Sequence, residues 1–381
     1  MPTKRPSHTP LRIGVNARWL IPGRMEGTGW YTRRILEQLV ADHPEVEWHL
    51  FFDRSHRADL SLGDAQQHVL GPPARHPWLW AFWNEIRIPQ ALKRLDISVY
   101  WSPDGLLPKR LRGWHGRLVT TIHDLNFVHQ PEGIPERVGA YYRRVIAHSA
   151  QQADALLTVS NQTKLDVIST YSIPPERIAV SYNAPAQAFR PFDTTEKSAA
   201  QARFAGGHPY FCFVGAFTPR KNVRTLVEAF VAFRSKYPDL PHHLVLVGSA
   251  LHHDDALDRS LAQGGKRIHV LGHVEGATLQ EVYGGATAFC FPSRFEGFGI
   301  PLIEAMASGC PVISSSASCM PEIVGDAGVL LSPDDPDAWA TAMADMAQND
   351  AHDWIQKGLV RAADFQWSRS AAVVWKALQP C

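Results

Sequence analysis

The chain has 381 residues, 45% of them hydrophobic, and a formal net charge of +1. That length and apolar content suit two domains with sizeable cores and exclude a disordered chain. Balanced charge and the lack of a long Lys/Arg run exclude a general basic surface for nucleic acid.

Taken in chain order, the first expected strand is Leu11–Val15. A glycine turn follows at Met25-Glu26-Gly27-Thr28-Gly29, and then a helix over Gly29–Val40. A helix N-terminus behind a Gly-x-Gly turn suits a phosphate, although such turns are also ordinary connections. Strands are expected at Trp48–Phe52, Val99–Trp101, Leu118–Ile122 and Leu156–Val159, with a helix over Arg137–Gln152. The segment Pro77-Trp78-Leu79-Trp80-Ala81-Phe82-Trp83-Asn84-Glu85 reads as an aromatic amphipathic helix. Its rings either fill the core or, at Trp78, Trp80 and Trp83, meet a ligand or a membrane interface. His123-Asp124 closes the fourth of these strands. A lone histidine there has a structural reading as well as a functional one.

The segment around Asn183–Thr195 carries two prolines and no period, and so marks a join. Domains are expected at 1–188 and 189–364, with a terminal helix over 365–381 returning to the first. Strands continue at Tyr210–Val214, His243–Val247, Ile268–Leu271, Ala288–Phe291 and Val312–Ser314, alternating with helices such as Val223–Lys236 and Leu279–Tyr283. Alternation of this kind implies an α/β fold with two doubly wound parallel sheets.

Chemistry concentrates in the second half. Arg220 and Lys221 follow the strand Tyr210–Val214, and two cations at a strand's carboxyl end suit an anionic ligand, although such pairs are also common on surfaces. The stretch Arg294-Phe295-Glu296-Gly297-Phe298-Gly299-Ile300-Pro301-Leu302-Ile303-Glu304 follows the strand Ala288–Phe291. It places two carboxylates around a Gly-x-Gly turn at a helix start. Carboxylates accept hydrogen bonds from vicinal hydroxyls. Asp335-Pro336-Asp337 formally makes a metal-binding Asp-x-Asp, but its place before Ala338–Ala347 favours a helix cap. His242-His243 and His252-His253 lack a ligand arrangement. No metal or cofactor is expected.

The Glu296-x7-Glu304 segment resembles the signature of retaining glycosyltransferases of family 4, which have the GT-B fold. Val214-Gly215-Ala216-Phe217-Thr218-Pro219-Arg220-Lys221-Asn222, Thr121-Ile122-His123-Asp124 and the glycine turn extend the resemblance over nearly the whole chain. Two departures stand out: Glu26 replaces a glycine of the family turn, and Tyr182-Asn183-Ala184 replaces Pro-Asn-Gly at the join. The resemblance implies two Rossmann-like domains facing an interdomain cleft, acceptor on the first and donor on the second. It also implies roles for individual residues. Glu296 would bond the donor sugar's distal hydroxyls and Glu304 the nucleotide ribose. The backbone of Gly297, Phe298, Gly299 and Ile300 would meet sugar or phosphate, and Gly27, Thr28 and Gly29 phosphate. Arg220 and Lys221 would receive the diphosphate. His123, and with it Asp124, would position donor sugar and acceptor. Gly248, Gly272, His273 and Val274 would line the base.

The Ala216–Asn222 and Ser293–Pro301 segments look like those of bacterial mannosyltransferases that build surface polysaccharides, including lipopolysaccharide. GDP-mannose is the expected donor, and a glycan or polyprenyl-linked glycan the expected acceptor. A UDP-hexose transferase, a GT-B sugar-nucleotide epimerase and a non-catalytic nucleotide-sugar sensor remain alternatives. The five scattered cysteines, Cys212, Cys290, Cys310, Cys319 and Cys381, suggest a reducing cytoplasm. No run approaches the ~20 apolar residues of a membrane span. The expected location is cytoplasmic, with peripheral contact at the membrane's inner face.

Overall fold

In the computed structural model the described residues are 10–21, 25–55, 62–74, 76–249, 255–274 and 276–380. His252, His253 and Cys381 lie outside them. Two sheets are present. The strands of the first are β1 (Arg12–Asn16), β2 (Glu47–Phe52), β3 (Gln66–Val69), β4 (Val99–Ser102), β5 (Arg117–Ile122), β6 (Ala155–Thr158) and β7 (Ile178–Val180). Those of the second are β8 (Tyr210–Val214), β9 (His243–Val247), β10 (Ile268–Gly272), β11 (Ala288–Phe291), β12 (Val312–Ser315) and β13 (Gly328–Leu331). Among the described residues the orders are β3-β2-β1-β4-β5-β6-β7 and β10-β9-β8-β11-β12-β13. The neighbours pair in parallel. Each order reverses once: between β1 and β4, and between β8 and β11. In open parallel sheets such a reversal leaves a crevice at the carboxyl ends of the two strands.

Central strands read as unbroken apolar runs because helices cover both faces. Tyr210, Phe211, Cys212 and Phe213 of β8 are fully buried, as are all four residues of β11. The helix Val223–Lys236 turns Val223, Leu226, Val227, Phe230 and Phe233 inward, spacings that keep one apolar stripe on one side. Three strands were not expected from sequence. β3 is a polar edge strand, largely exposed, and β7 and β13 are short edges with incomplete burial.

The chain divides into two compact units. One holds Met1–Leu125, Glu136–Tyr182 and Trp367–Cys381, the other Asn126–Pro135 and Asn183–Gln366. The sequence boundary at 188/189 thus falls inside the second unit, and 126–135 group with it. The second unit's first helix, Thr194–Ala205, starts on a capping box between Asp193 and Glu196, which fixes its beginning independently of the preceding prolines. The helix Trp367–Leu378 packs in the first unit. Ser370 Oγ donates to Tyr182 O at 2.6 Å, and Trp375 stacks on His43.

Candidate active site

In the second unit the reversal point lies between β8 and β11, and the charged residues meet there. After β8 the chain makes a short 3-10 turn, Pro219–Lys221, and Asn222 follows in the left-handed region at φ 55°. Asn222 is buried. Its Nδ2 donates to Pro292 O at 3.2 Å and Pro333 O at 2.6 Å, and Thr225 Oγ1 donates to its Oδ1. This amide joins the loops after β8, β11 and β13. Arg220 and Lys221 are thereby aimed at the segment after β11. Arg220 reaches Glu296 Oε2 at 2.7 Å and Phe295 O at 2.6 Å, and Lys221 Nζ reaches Glu296 Oε1 at 2.7 Å. Ser293 Oγ also donates to Glu296 Oε1. The Glu296 main chain is clipped by Ser318, whose Oγ donates to Glu296 O at 2.9 Å.

Burial alone would raise the Glu296 pKa. Lys221, Arg220 and the hydrogen bonds from Lys221 and Ser293 outweigh it and hold the carboxyl at about 2. Glu296 is therefore a carboxylate at any physiological pH.

Glu304 has the opposite environment. It lies on the helix Ile300–Ala307, which begins after Gly299 at φ 88°. Burial pushes its pKa up to about 8, and the hydrogen bond from Tyr283 Oη, at 3.2 Å, acts the other way. Two carboxylates eight residues apart thus hold different protonation states. Gly297, Phe298 and Gly299 are buried between them, and the Phe298 ring packs edge-on against Phe365. What this loop can offer a ligand is main chain.

Three glycines end neighbouring strands: Gly215 after β8 at φ 151°, Gly248 after β9 at φ 126°, and Gly272 of β10 at φ 70°. A Cβ on Gly248 would stand 2.0 Å from Gly215 O, so no larger residue fits. Gly248 N donates to Gly272 O at 2.7 Å. His273 beyond them is exposed and Val274 half-buried.

In the first unit, His123 and Asp124 follow β5, both half-buried. His123 Nε2 donates to Pro103 O at 2.8 Å, and Thr163 Oγ1 donates to His123 O. Burial lowers the ring's pKa against that hydrogen bond and the charges of Asp124 and Asp104. With Nε2 committed as donor, the neutral ring keeps its lone pair on Nδ1.

The glycine turn differs from expectation. The helix begins at Gly27, so Gly27, Thr28 and Gly29 form its first turn rather than a loop ahead of it. Gly29 meets a packing demand, since a Cβ there would stand 2.6 Å from Trp19 O. Glu26 is the N-cap, without a side-chain bond.

The aromatic segment is a helix over Pro77–Phe82 and a π turn over Trp83–Arg87. Its three tryptophans differ: Trp83 is wholly buried, Trp80 half-buried and Trp78 80% exposed. Asp335 caps the helix Pro336–Gln348, accepting from Ala338 N at 3.0 Å, and Asp337 pairs with Lys236. Among the described residues no three His, Cys, Asp or Glu side chains gather in a way that could hold a metal ion. Sequence reading missed Asn222, Ser293, Ser318 and Tyr283, because a lone Asn, Ser or Tyr carries no signal until its partners are known.

Each unit is thus built on a doubly wound parallel sheet, and the second carries a cation–carboxylate cluster at its reversal point. Residues 208–349 match the family described as Glycosyl transferases group 1, and residues 25–184 match Glycosyltransferase Family 4. The O-antigen chain mannosyltransferase B of Escherichia coli is 32% identical over 286 residues, 73% of each chain. The O-antigen chain mannosyltransferase RfbU of Salmonella typhimurium is 28% identical over 230 residues, 60% of each. Among solved structures, sucrose-phosphate synthase of Thermosynechococcus elongatus aligns with a TM-score of 0.74 at 21% identity, covering 96% of this chain and 98% of its own. The chain belongs to glycosyltransferase family 4 and has the GT-B fold. It is a hexosyltransferase by class.

Proposed function

We propose that this enzyme transfers mannose from GDP-mannose, with retention of configuration, to a lipid-linked glycan acceptor in surface polysaccharide synthesis. The similarity to two O-antigen chain mannosyltransferases supports the sugar and the pathway class. The single observation that carries the chemistry is the contact of Glu296 with both Arg220 and Lys221 at the reversal point. Two cations there suit a diphosphate, and their partner carboxylate suits the hydroxyls of the attached sugar. In this reading Glu304 accepts from the ribose, the main chain around Gly297–Ile300 meets sugar or phosphate, and Gly27–Gly29 contact phosphate at a helix N-terminus. Gly248, Gly272, His273 and Val274 hold the base, and His123 and Asp124 position sugar and acceptor. No metal takes part.

The acceptor's lipid would bring the enzyme to the membrane's inner face. Trp78, Phe82 and Ile86, spaced four apart, are 80%, 43% and 44% exposed and support contact with that surface. No helix among the described residues is long and apolar enough to cross a membrane.

The test is to incubate purified enzyme with GDP-mannose, UDP-glucose or UDP-galactose and a polyprenyl-linked glycan. NMR then assigns the new anomeric centre. An α-mannoside formed from GDP-mannose alone supports the reading. Turnover of a UDP-sugar only moves the donor assignment. Isomerised donor without acceptor favours an epimerase, and binding without turnover favours a sensor.

A further inference from the structure

The first unit has its own reversal point, and the donor reading above gives no role to the side chains that gather there. There β1 and β4 pair through Val15 and Trp101. Asn16 and Arg18 leave the carboxyl end of β1, and Ser102 and Asp104 leave that of β4. Arg18 Nε donates to Asp104 Oδ2 at 2.9 Å, and the two side chains are only 6% and 5% exposed. Asp104 is fully engaged. Trp19 Nε1 donates to its Oδ2 at 2.9 Å, and Ser102 Oγ and Leu106 N donate to its Oδ1. Asn16 Nδ2 supports Ser102 Oγ at 3.1 Å.

Arg18 is only half engaged. Among the described residues its terminal nitrogens have no hydrogen-bond partner, and they are not sealed from solvent. The guanidinium lies 5.0, 5.9 and 6.0 Å from the ring centres of Trp19, Trp80 and Trp83. Trp80 in turn stands 6.2 Å from Tyr141 and 6.5 Å from Tyr142. A guanidinium with one edge fixed by Asp104 and the other edge open to solvent is a stable arrangement without a ligand. It is also a good one for a ligand bearing paired oxygens, because the fork is already oriented.

We propose that this cluster is an acceptor subsite for a neutral pyranose ring. The ring's vicinal oxygens accept from the Arg18 fork, and its apolar face lies on Trp80 and Tyr141. Asp104 balances the charge of Arg18, which favours hydroxyls over a phosphate. The proposal rests on the glycosyltransferase reading but not on which nucleotide sugar is the donor.

Arg18→Lys tests it, because it keeps the charge beside Asp104 and removes the fork. The probe is an octyl mannobioside, used beside its 6-phosphate. The expected result is a KM for the neutral probe raised about tenfold, with kcat within about threefold. The Kd for GDP-mannose by calorimetry, and Tm, should stay near wild type. An unchanged acceptor KM in a folded variant overturns the proposal. So does a parallel loss of donor affinity. A defect confined to the phosphorylated probe would make Arg18 an oxyanion site and also overturn the neutral ring. Should Arg18→Lys not fold, Tyr141→Leu removes the platform and must raise the same KM. If no sugar nucleotide is turned over, the donor reading fails, while calorimetry of the mannobioside on wild type and Arg18→Lys still decides the subsite.

Discussion

Lys221 Nζ and Glu296 Oε1 stand 2.7 Å apart, so the cation and the carboxylate neutralise each other when neither touches a ligand. Arg220 holds the other carboxylate oxygen at the same distance. A diphosphate would compete with Glu296 for both cations and free its oxygens for sugar hydroxyls. The ion pair is thus a stored arrangement of the site's own charges.

Glu296→Gln should lower stability at neutral pH by about 3 kcal/mol, because two poorly exposed cations lose their counter-charge. The folded pKa of about 2 lies below the ordinary 4.5, so the stabilisation is present above 4.5 and lost as pH falls toward 2. Urea unfolding of wild type and variant from pH 7 downward should show the gap narrowing below about 4.5. A gap constant with pH would mean that the carboxylate's charge is not what stabilises.

Arg220→Ala and Lys221→Ala should each reduce kcat/KM by roughly 30- to 1000-fold, on the order of 2–4 kcal/mol, if they stabilise the leaving diphosphate. Steady-state kinetics at saturating acceptor measures this. Either variant with wild-type kcat/KM removes that residue from the site.

Donor affinity should depend on Glu304 ionisation. A carboxyl raised to about 8 is largely protonated at neutral pH, whereas accepting from ribose hydroxyls favours the carboxylate. Donor Kd should therefore tighten as pH rises through about 8, and Glu304→Gln should flatten the profile. A wild-type profile that is already flat contradicts the role. The raised pKa also means that this group's contribution to stability is full below the ordinary 4.5 and lost as pH rises through about 8.

Exhaustive EDTA treatment should leave transfer activity intact. The Asp335 and Asp337 side chains are occupied by a helix cap and a lysine. Loss of activity restored specifically by Mn²⁺ or Mg²⁺ would refute metal independence.

The tryptophans should separate by burial. Trp78→Ser should weaken liposome binding and raise KM for a lipid-linked acceptor, leaving Tm and donor KM unchanged. Trp83→Ser removes a wholly buried ring and should cost about 3–5 kcal/mol in stability. Equal liposome binding by wild type and Trp78→Ser would exclude the membrane role.

Legibility followed the physics of each signal. β8 and β11 are visible in sequence because burial on both faces demands continuous apolar runs. β3, with Gln66, Gln67 and His68, has no such demand at a sheet edge and looks like loop. Glu296 and Glu304 are legible because their chemistry sits in one contiguous stretch. Arg18 and Asp104 are not, since pairing residues 86 apart requires the strand order. The glycine turn was legible as a helix start, but the packing demand on Gly29 was not. A glycine needed for close packing against Trp19 O looks, in sequence, the same as one needed for a ligand.

The crowding at Gly248, where an added Cβ would stand 2.0 Å from Gly215 O, bears on how this enzyme could change its diet. Where strand ends are so crowded that only main chain fits, point substitution has nothing to work with. If the platform holds the nucleobase as proposed, a lineage or an engineer seeking a different base would have to act just outside it, at His273 or Val274, where side chains have room to vary. On that reading the purine-or-pyrimidine choice would rest with a few peripheral positions laid over a main-chain floor.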